Sequence, residues 1–163
     1  MLFRSKLVKF AQNQNIGLTF VGPETALMNG VVDAFIKAEL PIFGPNKMAA
    51  ELEGSKDFAK SIMKKYGVPT ADYATFDSLE PALAYLDEKG VPLVIKADGL
   101  AAGKGVTVAF DIETAKSALA DIFSGSQGKV VIEEFLDGEE FSLFSFIHDG
   151  KIYPMPIDRK SVV

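Results

Sequence analysis

The segment VIKADGLAAGKGVTVAF, Val94 to Phe110, is the most informative part of the sequence because it places three glycines and two lysines in and beside a loop with apolar runs on both sides. The flanking residues, VIKA and VTVAF, favour strands because they are rich in β-branched side chains. Glycines in the intervening loop let the backbone turn tightly and let N–H groups approach the oxygens of an anion. The segment therefore predicts two strands joined by a loop that can bind phosphate.

Two familiar phosphate-binding loops are excluded by spacing. A Walker A loop needs four residues before its Gly-Lys pair, then a hydroxyl residue and a helix. Here three residues separate Gly99 from Gly103, and Gly105 stands where the hydroxyl is needed. A Rossmann loop needs a helix that starts within the loop, whereas VTVAF follows. What remains is a hairpin flap, with Lys96 before the loop and Lys104 inside it; a plain Gly-Lys-Gly turn is the alternative.

A second segment, VIEEFLDGEEFSL at residues 131–143, runs from an apolar strand into acidic residues. Such a connector can offer backbone groups to the edge of a base, apolar side chains to its faces and a carboxylate to a ribose. The alternative is an acidic hairpin on the surface. Lys56, Lys60 and Lys64 form a third pattern, a row at helical spacing, for which a solvated helix face is expected.

Composition narrows the class of protein. The chain has 163 residues, of which 48% are hydrophobic, and a net charge of -5, so it can bury a core and shows no basic footprint for nucleic acid. The absence of cysteine from the sequence excludes disulfides, thiolate zinc sites and a cysteine nucleophile. No apolar run is long enough to span a bilayer, and the first residues lack a signal-peptide pattern. We expect a cytoplasmic protein without nucleic-acid or membrane partners; its oligomeric state is not readable.

The first part of the chain predicts a βαβ unit with a parallel strand pair. IGLTFVG, Ile16 to Gly22, and LPIFGP are strand-like, and ETALMNGVVDAFIKAE between them has apolar residues at helical spacing. Two helices follow, NKMAAELE and SKDFAKSIMKKYG. For the second, Ser55 is the predicted N-cap and Gly67 the stop, with Phe58, Ile62 and Tyr66 as its apolar stripe.

The remainder predicts antiparallel strands covered by helices. The strands are Tyr73–Phe76, Leu93–Ala97 and Gly105–Phe110, then KVVIEEF, EFSLFSFI and KIYPMP, with a turn at Asp149-Gly150 between the last two. Helices are predicted over Ser78–Lys89 and from Asp111 onward. The predicted fold class is α/β with α+β character.

Five segments in this order carry a resemblance to a known family: VGPE, LPIFGP, AAELEGSKDFAK, VIKADGLAAGKGV and VIEEFLDGEEFS. They resemble the ATP-grasp superfamily and, within it, the phosphoribosylamine-glycine ligase family, over roughly Leu18 to Pro156. The resemblance implies the C-terminal part of a pre-ATP-grasp domain at residues 6–54. It also implies the N-terminal part of an ATP-grasp domain at residues 55–157.

The activity implied by the resemblance is ATP-dependent ligation of glycine to 5-phosphoribosylamine, through glycyl phosphate, in purine biosynthesis. The implied ATP site contains phosphate-binding lysines, a flap, an adenine connector and a ribose ligand. These are Lys56 and Lys96; Gly99, Gly103, Lys104 and Gly105; Glu133, Glu134, Phe135 and Leu136; and Glu140. Glu24 is implied near the substrate cleft, or is simply a helix-starting acid. The family's Mg²⁺ (or Mn²⁺) ligands have no counterpart here, and no catalytic residue is assigned.

Both ends depart from the family. MLFRS at residues 1–5 and DRKSVV at residues 158–163 can be encoded by common sequencing-library adapter DNA, so we expect non-native ends on a piece of a longer enzyme. A genomic sequence that continues in frame through either end would contradict this. We expect the chain alone to be inactive and to expose one face of the VVIEEF and FSLFSFI strands. The alternatives are an ATP-binding module without catalysis and another ATP-grasp ligase.

Overall fold

The computed structural model describes residues 2–99, 105–125 and 128–159, which form helices and short strands in alternation. The helices are α1 Leu2–Asn13, α2 Glu24–Met28, α3 Val31–Lys37, α4 Lys47–Gly54, α5 Lys56–Tyr66, α6 Leu79–Lys89 and α7 Ile112–Ser124. The strands are β1 Thr19–Phe20, β2 Ile42–Phe43, β3 Tyr73–Phe76, β4 Leu93–Ala97, β5 Val106–Ala109, β6 Val130–Glu134, β7 Phe141–Ser142, β8 Ser145–His148, β9 Lys151–Pro154 and β10 Asp158–Arg159.

A four-stranded antiparallel sheet in the order β3-β6-β4-β5 forms the centre of the larger unit. β4 and β5 pair directly, with Lys96 opposite Val106, so the predicted hairpin around the glycine loop is confirmed. β6 lies between β3 and β4, and Lys96 is also opposite Val131. The sheet thus brings the two segments that carried the phosphate and base-binding predictions side by side.

Helices α6 and α7 cover one face of this sheet, as predicted. Alternation along β4 turns Leu93, Ile95 and Ala97 toward the helices, where Leu86 and Leu119 complete a fully buried core. The opposite face, called here the lysine face, carries the alternate side chains Val94, Lys96, Val108 and Glu133. Because α6 and α7 lie behind the sheet, the lysine face is the one left for a site.

The N-terminal unit has the predicted parallel pair. β1 and β2 pair with Thr19 opposite Ile42, and α3 packs on α1 around Ala11, Val32 and Phe35. The single predicted helix between these strands is wrong: the chain forms α2 and α3. Gly30 separates them with φ of +71°, a left-handed conformation that interrupts helical hydrogen bonding.

Two further predictions need correction. The strand predicted over Ile16–Gly22 is only the two residues of β1. EFSLFSFI forms two strands, because β7 pairs with β10 whereas β8 pairs with β9. The turn at Asp149-Gly150 is confirmed, with positive φ at both residues as the tightest hairpin turns require. No helix in the described part of the chain is long and apolar enough to cross a membrane.

Helix α5 begins and ends as predicted but buries a different residue. The Ser55 side chain accepts from the Phe58 N–H at its start, and Gly67 takes the left-handed conformation after its end. Tyr66, predicted to belong to the apolar stripe, is 67% exposed, whereas Lys60 is buried. Lys60 is buried because it forms an ion pair with Glu133.

Candidate functional site

The glycine loop is anchored to the start of α5 through Asp98. The Asp98 carboxylate accepts hydrogen bonds from the backbone N–H groups of Lys56 (2.7 Å) and Asp57 (3.2 Å), and from the Ser55 hydroxyl. A carboxylate at a helix N-terminus satisfies backbone donors that have no partner in the helix and interacts favourably with the helix dipole. Two segments that are far apart in sequence, GSK and ADG, therefore meet at one point.

The root of the loop is closed by backbone and lysine contacts. The Ala97 N–H donates to the Gly105 carbonyl at 2.8 Å, and the Lys56 ammonium donates to the Gly99 carbonyl at 2.7 Å. Gly99 has φ of +92°, which a residue with a side chain rarely adopts. Lys56 and Gly99 are thus brought together, but Gly103 and Lys104 lie outside the described residues.

The most distinctive feature of the lysine face is one carboxylate held between two ammonium groups. Glu133 Oε1 is 2.9 Å from Lys96 Nζ, and its Oε2 is 2.9 Å from Lys60 Nζ. Glu133 and Lys60 are 7% and 6% exposed, whereas the Lys96 side chain is 27% exposed. Lys96 is therefore held in place by Glu133 while its side chain stays partly exposed to solvent.

Lys60 corrects the prediction of a solvated row at Lys56, Lys60 and Lys64. Its ammonium donates to Thr70 Oγ1 at 2.7 Å and to the Ala71 carbonyl at 3.2 Å, in addition to the pair with Glu133. These contacts use all three of its N–H donors, so the buried charge is fully satisfied. Helical spacing alone could not distinguish this residue from its exposed neighbour Lys64.

Glu133 was predicted at the connector, but its partners were not. A signal for its burial was present in the sequence, since alternation in VVIEE places Glu133 on the same face as Val131. Asp98 was the second residue missed. Its signal was weaker: an acid directly before a glycine, with no indication of which helix it would cap.

The connector that follows β6 is fixed at one end and exposed at the other. The Glu134 N–H donates to the Asp72 carbonyl at 2.8 Å. The Phe135 ring contacts Phe110 edge to face, with centroids 5.2 Å apart, and Leu136 is exposed. Together with the exposed side chains of Val106 and Val108, these residues give the lysine face an apolar margin.

The two remaining predicted site residues lie elsewhere. Glu24 is the first residue of α2 and lines a cleft of about 160 Å³ between α2 and α4. Glu140 is exposed immediately before β7. A larger cavity, of about 610 Å³, is bounded by Tyr85 and Lys89 of α6 and reaches the residues described above at Thr70, Ala71, Asp72, Glu133 and Glu134.

A second ion pair joins α5 to Lys129, the residue immediately before β6. Lys129 Nζ lies 3.0 Å from Asp57 Oδ2, and the Thr75 hydroxyl donates to Asp57 Oδ1 at 2.9 Å. The hydrogen bond from Lys129 is the main cause that holds the pKa of Asp57 below its ordinary value, and burial partly opposes it. The same bond raises the pKa of Lys129. Among the described residues no cluster of three or more His, Cys, Asp or Glu could hold a metal ion.

Comparison with protein-family models gives two adjacent matches. The phosphoribosylglycinamide synthetase N domain matches residues 3–53, and the ATP-grasp (A) domain of the same synthetase matches residues 54–161. A curated protein from Lactococcus lactis, named phosphoribosylamine–glycine ligase, is 98% identical over 156 residues. That alignment covers 96% of this chain and 38% of the Lactococcus protein, so the chain spans about two fifths of its relative's length.

Solved structures agree on the fold. The phosphoribosylamine–glycine ligase of Thermotoga maritima is 39% identical with a TM-score of 0.65, over 71% of this chain and 31% of that chain. A D-alanine–D-alanine ligase from Bacillus anthracis, solved with ATP, is 26% identical with a TM-score of 0.70, over 94% of this chain and 50% of the other. The architecture described above is thus that of part of an ATP-grasp ligase.

Proposed function

Because this chain belongs to the phosphoribosylglycinamide synthetase family, we propose that it carries the ATP-binding part of a ligase that joins glycine to 5-phosphoribosylamine. The observation that supports this most directly concerns Lys96. Its side chain lies on the lysine face, its ammonium group is held by Glu133, and its strand leads into the glycine loop. A fixed, partly exposed cation beside a glycine loop suits a phosphate group.

The nucleotide is proposed to lie along the lysine face. Lys96 would meet the phosphates, and Lys56, which contacts Gly99 at the root of the loop, would do so with the flap glycines. The apolar margin of Val106, Val108 and Phe135 would contact the adenine faces, and the backbone of the connector its edge. Gly103, Lys104, Gly105 and Glu140 complete the proposal as flap and ribose contacts.

Magnesium is proposed to reach this site through the nucleotide. Mg²⁺ in nucleotide enzymes is held by substrate phosphates together with one or two carboxylates, and it neutralises charge on the transferred phosphoryl group. The residues present suit the phosphate side of that arrangement, because Lys96 and Lys56 are donors without being metal ligands. We assign no metal ligand in this chain.

Phosphoryl transfer explains why such a site needs positioning rather than a protein nucleophile. In the proposed reaction the glycine carboxylate attacks the γ-phosphate, ADP leaves, and the phosphoribosylamine nitrogen then displaces phosphate to form the amide. The contribution of this chain is to bind, orient and neutralise the triphosphate. The proposal also includes a position of Glu24 near the substrate cleft and a domain boundary between residues 54 and 55. A cytoplasmic location is proposed as well.

Calorimetric titration of the chain with MgATP tests the binding proposal. We expect Lys96→Ala to weaken binding by about tenfold or more, because it removes a charge-assisted contact to phosphate. Lys116→Ala is the matched control, since Lys116 is an exposed lysine of α7 whose partner Asp87 lies 3.7 Å away. Equal affinities for the wild type and Lys96→Ala would contradict the proposed phosphate contact.

Turnover separates ligation from binding alone. Release of ADP and phosphate that depends on both glycine and phosphoribosylamine would show that this chain catalyses the reaction by itself. Binding of MgATP without turnover would support the second candidate, a nucleotide-binding segment whose chemistry needs the longer protein. The 38% coverage of the Lactococcus relative favours this second candidate for the chain as it stands.

A further inference from the structure

Lys60 is a buried cation that the proposed function does not use. Together with Glu133 it makes up the buried charged residues of the described chain, and all three of its donors are occupied by protein groups. It therefore has no donor left for a ligand. Burying an ion pair is rarely a net gain in stability, because both charges lose their hydration. The pair therefore points to a role other than net stability.

Geometry links Lys60 to the phosphate site through one carboxylate. Lys60 binds Oε2 of Glu133 and Lys96 binds Oε1, both at 2.9 Å. Two ammonium groups and one carboxylate leave one net positive charge, and the outermost member of the set is Lys96. Without Lys60, Glu133 and Lys96 would form a neutral pair, and the carboxylate would lose the contact that fixes its second oxygen.

We infer that Lys60 is a positioning residue. It binds one of the two carboxylate oxygens of Glu133, so that Lys96 keeps a fixed position and a net positive charge for the phosphates of a nucleotide. This inference rests on the proposed function, because it assigns to Lys60 the task of preparing Lys96 for ATP. Lys60 lies on α5 and donates hydrogen bonds to Thr70 and Ala71, which follow that helix. The packing of α5 on the sheet therefore sets the charge of the site.

Nucleotide titration of three variants tests the charge argument. We expect Lys60→Met to weaken MgATP binding by about tenfold and adenosine binding by less than about twofold, because the lost charge faces phosphate. The double variant Lys60→Met/Glu133→Gln restores one net positive charge at Lys96. Because glutamine still offers Lys96 an acceptor oxygen and the connector meets adenine through its backbone, this variant should recover most of the MgATP affinity. Lys64→Met, one turn along the same helix and exposed, should bind MgATP like the wild type.

The double variant separates charge from folding. A merely structural role for Lys60 predicts that the second substitution does not help, so a double variant that folds and binds MgATP no better than Lys60→Met overturns the inference. If Lys60→Met alone does not fold, the double variant decides: binding within about threefold of wild type supports the inference, and loss of binding in a folded protein overturns it.

Lysine side-chain NMR provides a readout that does not need ATP. In protein labelled with ¹⁵N in its lysines, the Lys96 ammonium signal should move in Lys60→Met and return toward its original position in the double variant. An unchanged Lys96 signal overturns the inference whether or not nucleotide binds. If the variants show these signal changes but the wild-type chain binds no MgATP, the proposed function is contradicted, whereas the control of Lys96 by Lys60 is supported.

Discussion

Asp98 shows how a single carboxylate can join two distant parts of a chain. It caps α5 through two backbone N–H groups while its own N–H donates to the Lys129 carbonyl at 3.0 Å, at the start of the central strand. The loop after β4, helix α5 and strand β6 are thereby held at one residue. A ligand that displaced the start of the glycine loop would have to break these hydrogen bonds of Asp98.

Replacement of Asp98 by alanine should destabilise the protein. It leaves the first N–H groups of α5 without their acceptor and removes an anion from the helix N-terminus, which together are worth about 1–2 kcal/mol. Urea unfolding measures the difference in the free energy of unfolding. Asp87→Ala is the control, because the Asp87 carboxylate is largely exposed and its lysine partner is 3.7 Å away. Equal losses for the two variants would contradict the anchoring role.

Acid should destabilise the protein through Asp57. The Lys129 hydrogen bond lowers the folded-state pKa of Asp57 below 3.8, so the unfolded state binds protons more readily than the folded state. The stability that this contributes is present above about pH 4 and is lost as the pH falls through the lowered folded-state value. Melting temperatures between pH 6 and pH 2.5 should fall less steeply for Asp57→Asn than for the wild type; parallel curves would contradict this.

At the residue scale, sequence reasoning succeeded where a residue's role is written in its own neighbourhood. The caps at Ser55 and Gly67 were predicted correctly because capping is local. Lys96 was selected because it precedes a glycine loop, and its contact with phosphate stays a prediction. Lys60 was missed, since its burial depends on a carboxylate 73 positions later in the chain, and a helical row of lysines is equally compatible with solvent. Long-range ion pairs leave almost no local pattern.

At the scale of elements, the glycine loop begins with a conformational requirement rather than a steric one. Among the described residues, a Cβ at Gly99 would meet only the Gly54 carbonyl, at 4.0 Å, whereas φ of +92° disfavours any side chain. The restriction therefore falls on the backbone at the first residue of the loop. Elements bounded by strong caps and clear periods were predicted well, whereas two-residue strands such as β1 carry too few residues to show a period.

Gly99→Ala should accordingly lower stability by about 1–2 kcal/mol, which is the cost of left-handed backbone for a residue with a Cβ. Chemical denaturation measures it. Gly138→Ala is the matched control, because a Cβ there meets no described residue within 4 Å and its φ lies outside the restricted range. A Gly99→Ala variant as stable as Gly138→Ala would show that the backbone at Gly99 is not constrained in solution.

At the scale of the whole molecule, the expected exposure of apolar surface is confirmed in one place and wrong in another. Residues 130–132 of the central strand are buried, because α6 and α7 cover one face and α5 lies over the other, where Lys60 contacts Glu133. The β8–β9 hairpin is exposed, and its directly paired Ile147 and Ile152 are 67% and 65% exposed. An apolar surface of this kind favours association or capture of apolar molecules.

A hydrophobic dye should therefore bind at the hairpin. We expect Ile147→Thr/Ile152→Thr to reduce dye fluorescence and self-association, while threonine preserves the strand propensity of the hairpin. Leu18→Thr, at an exposed apolar residue in the N-terminal unit, controls for a general loss of hydrophobicity. Dye binding that is unaffected by the double substitution would place the apolar surface elsewhere.

The strand order of the central sheet also has a consequence for the time course of folding. β4 and β5 are neighbours in sequence and can pair as soon as both exist, but within the described sheet β3 pairs only with β6, more than fifty residues later. During synthesis β3 must therefore wait, unpaired, until the chain has emerged through Glu134. Until then the lysine that would meet phosphate has no carboxylate to fix it, so the sheet and the charge of its site should arise in the same step.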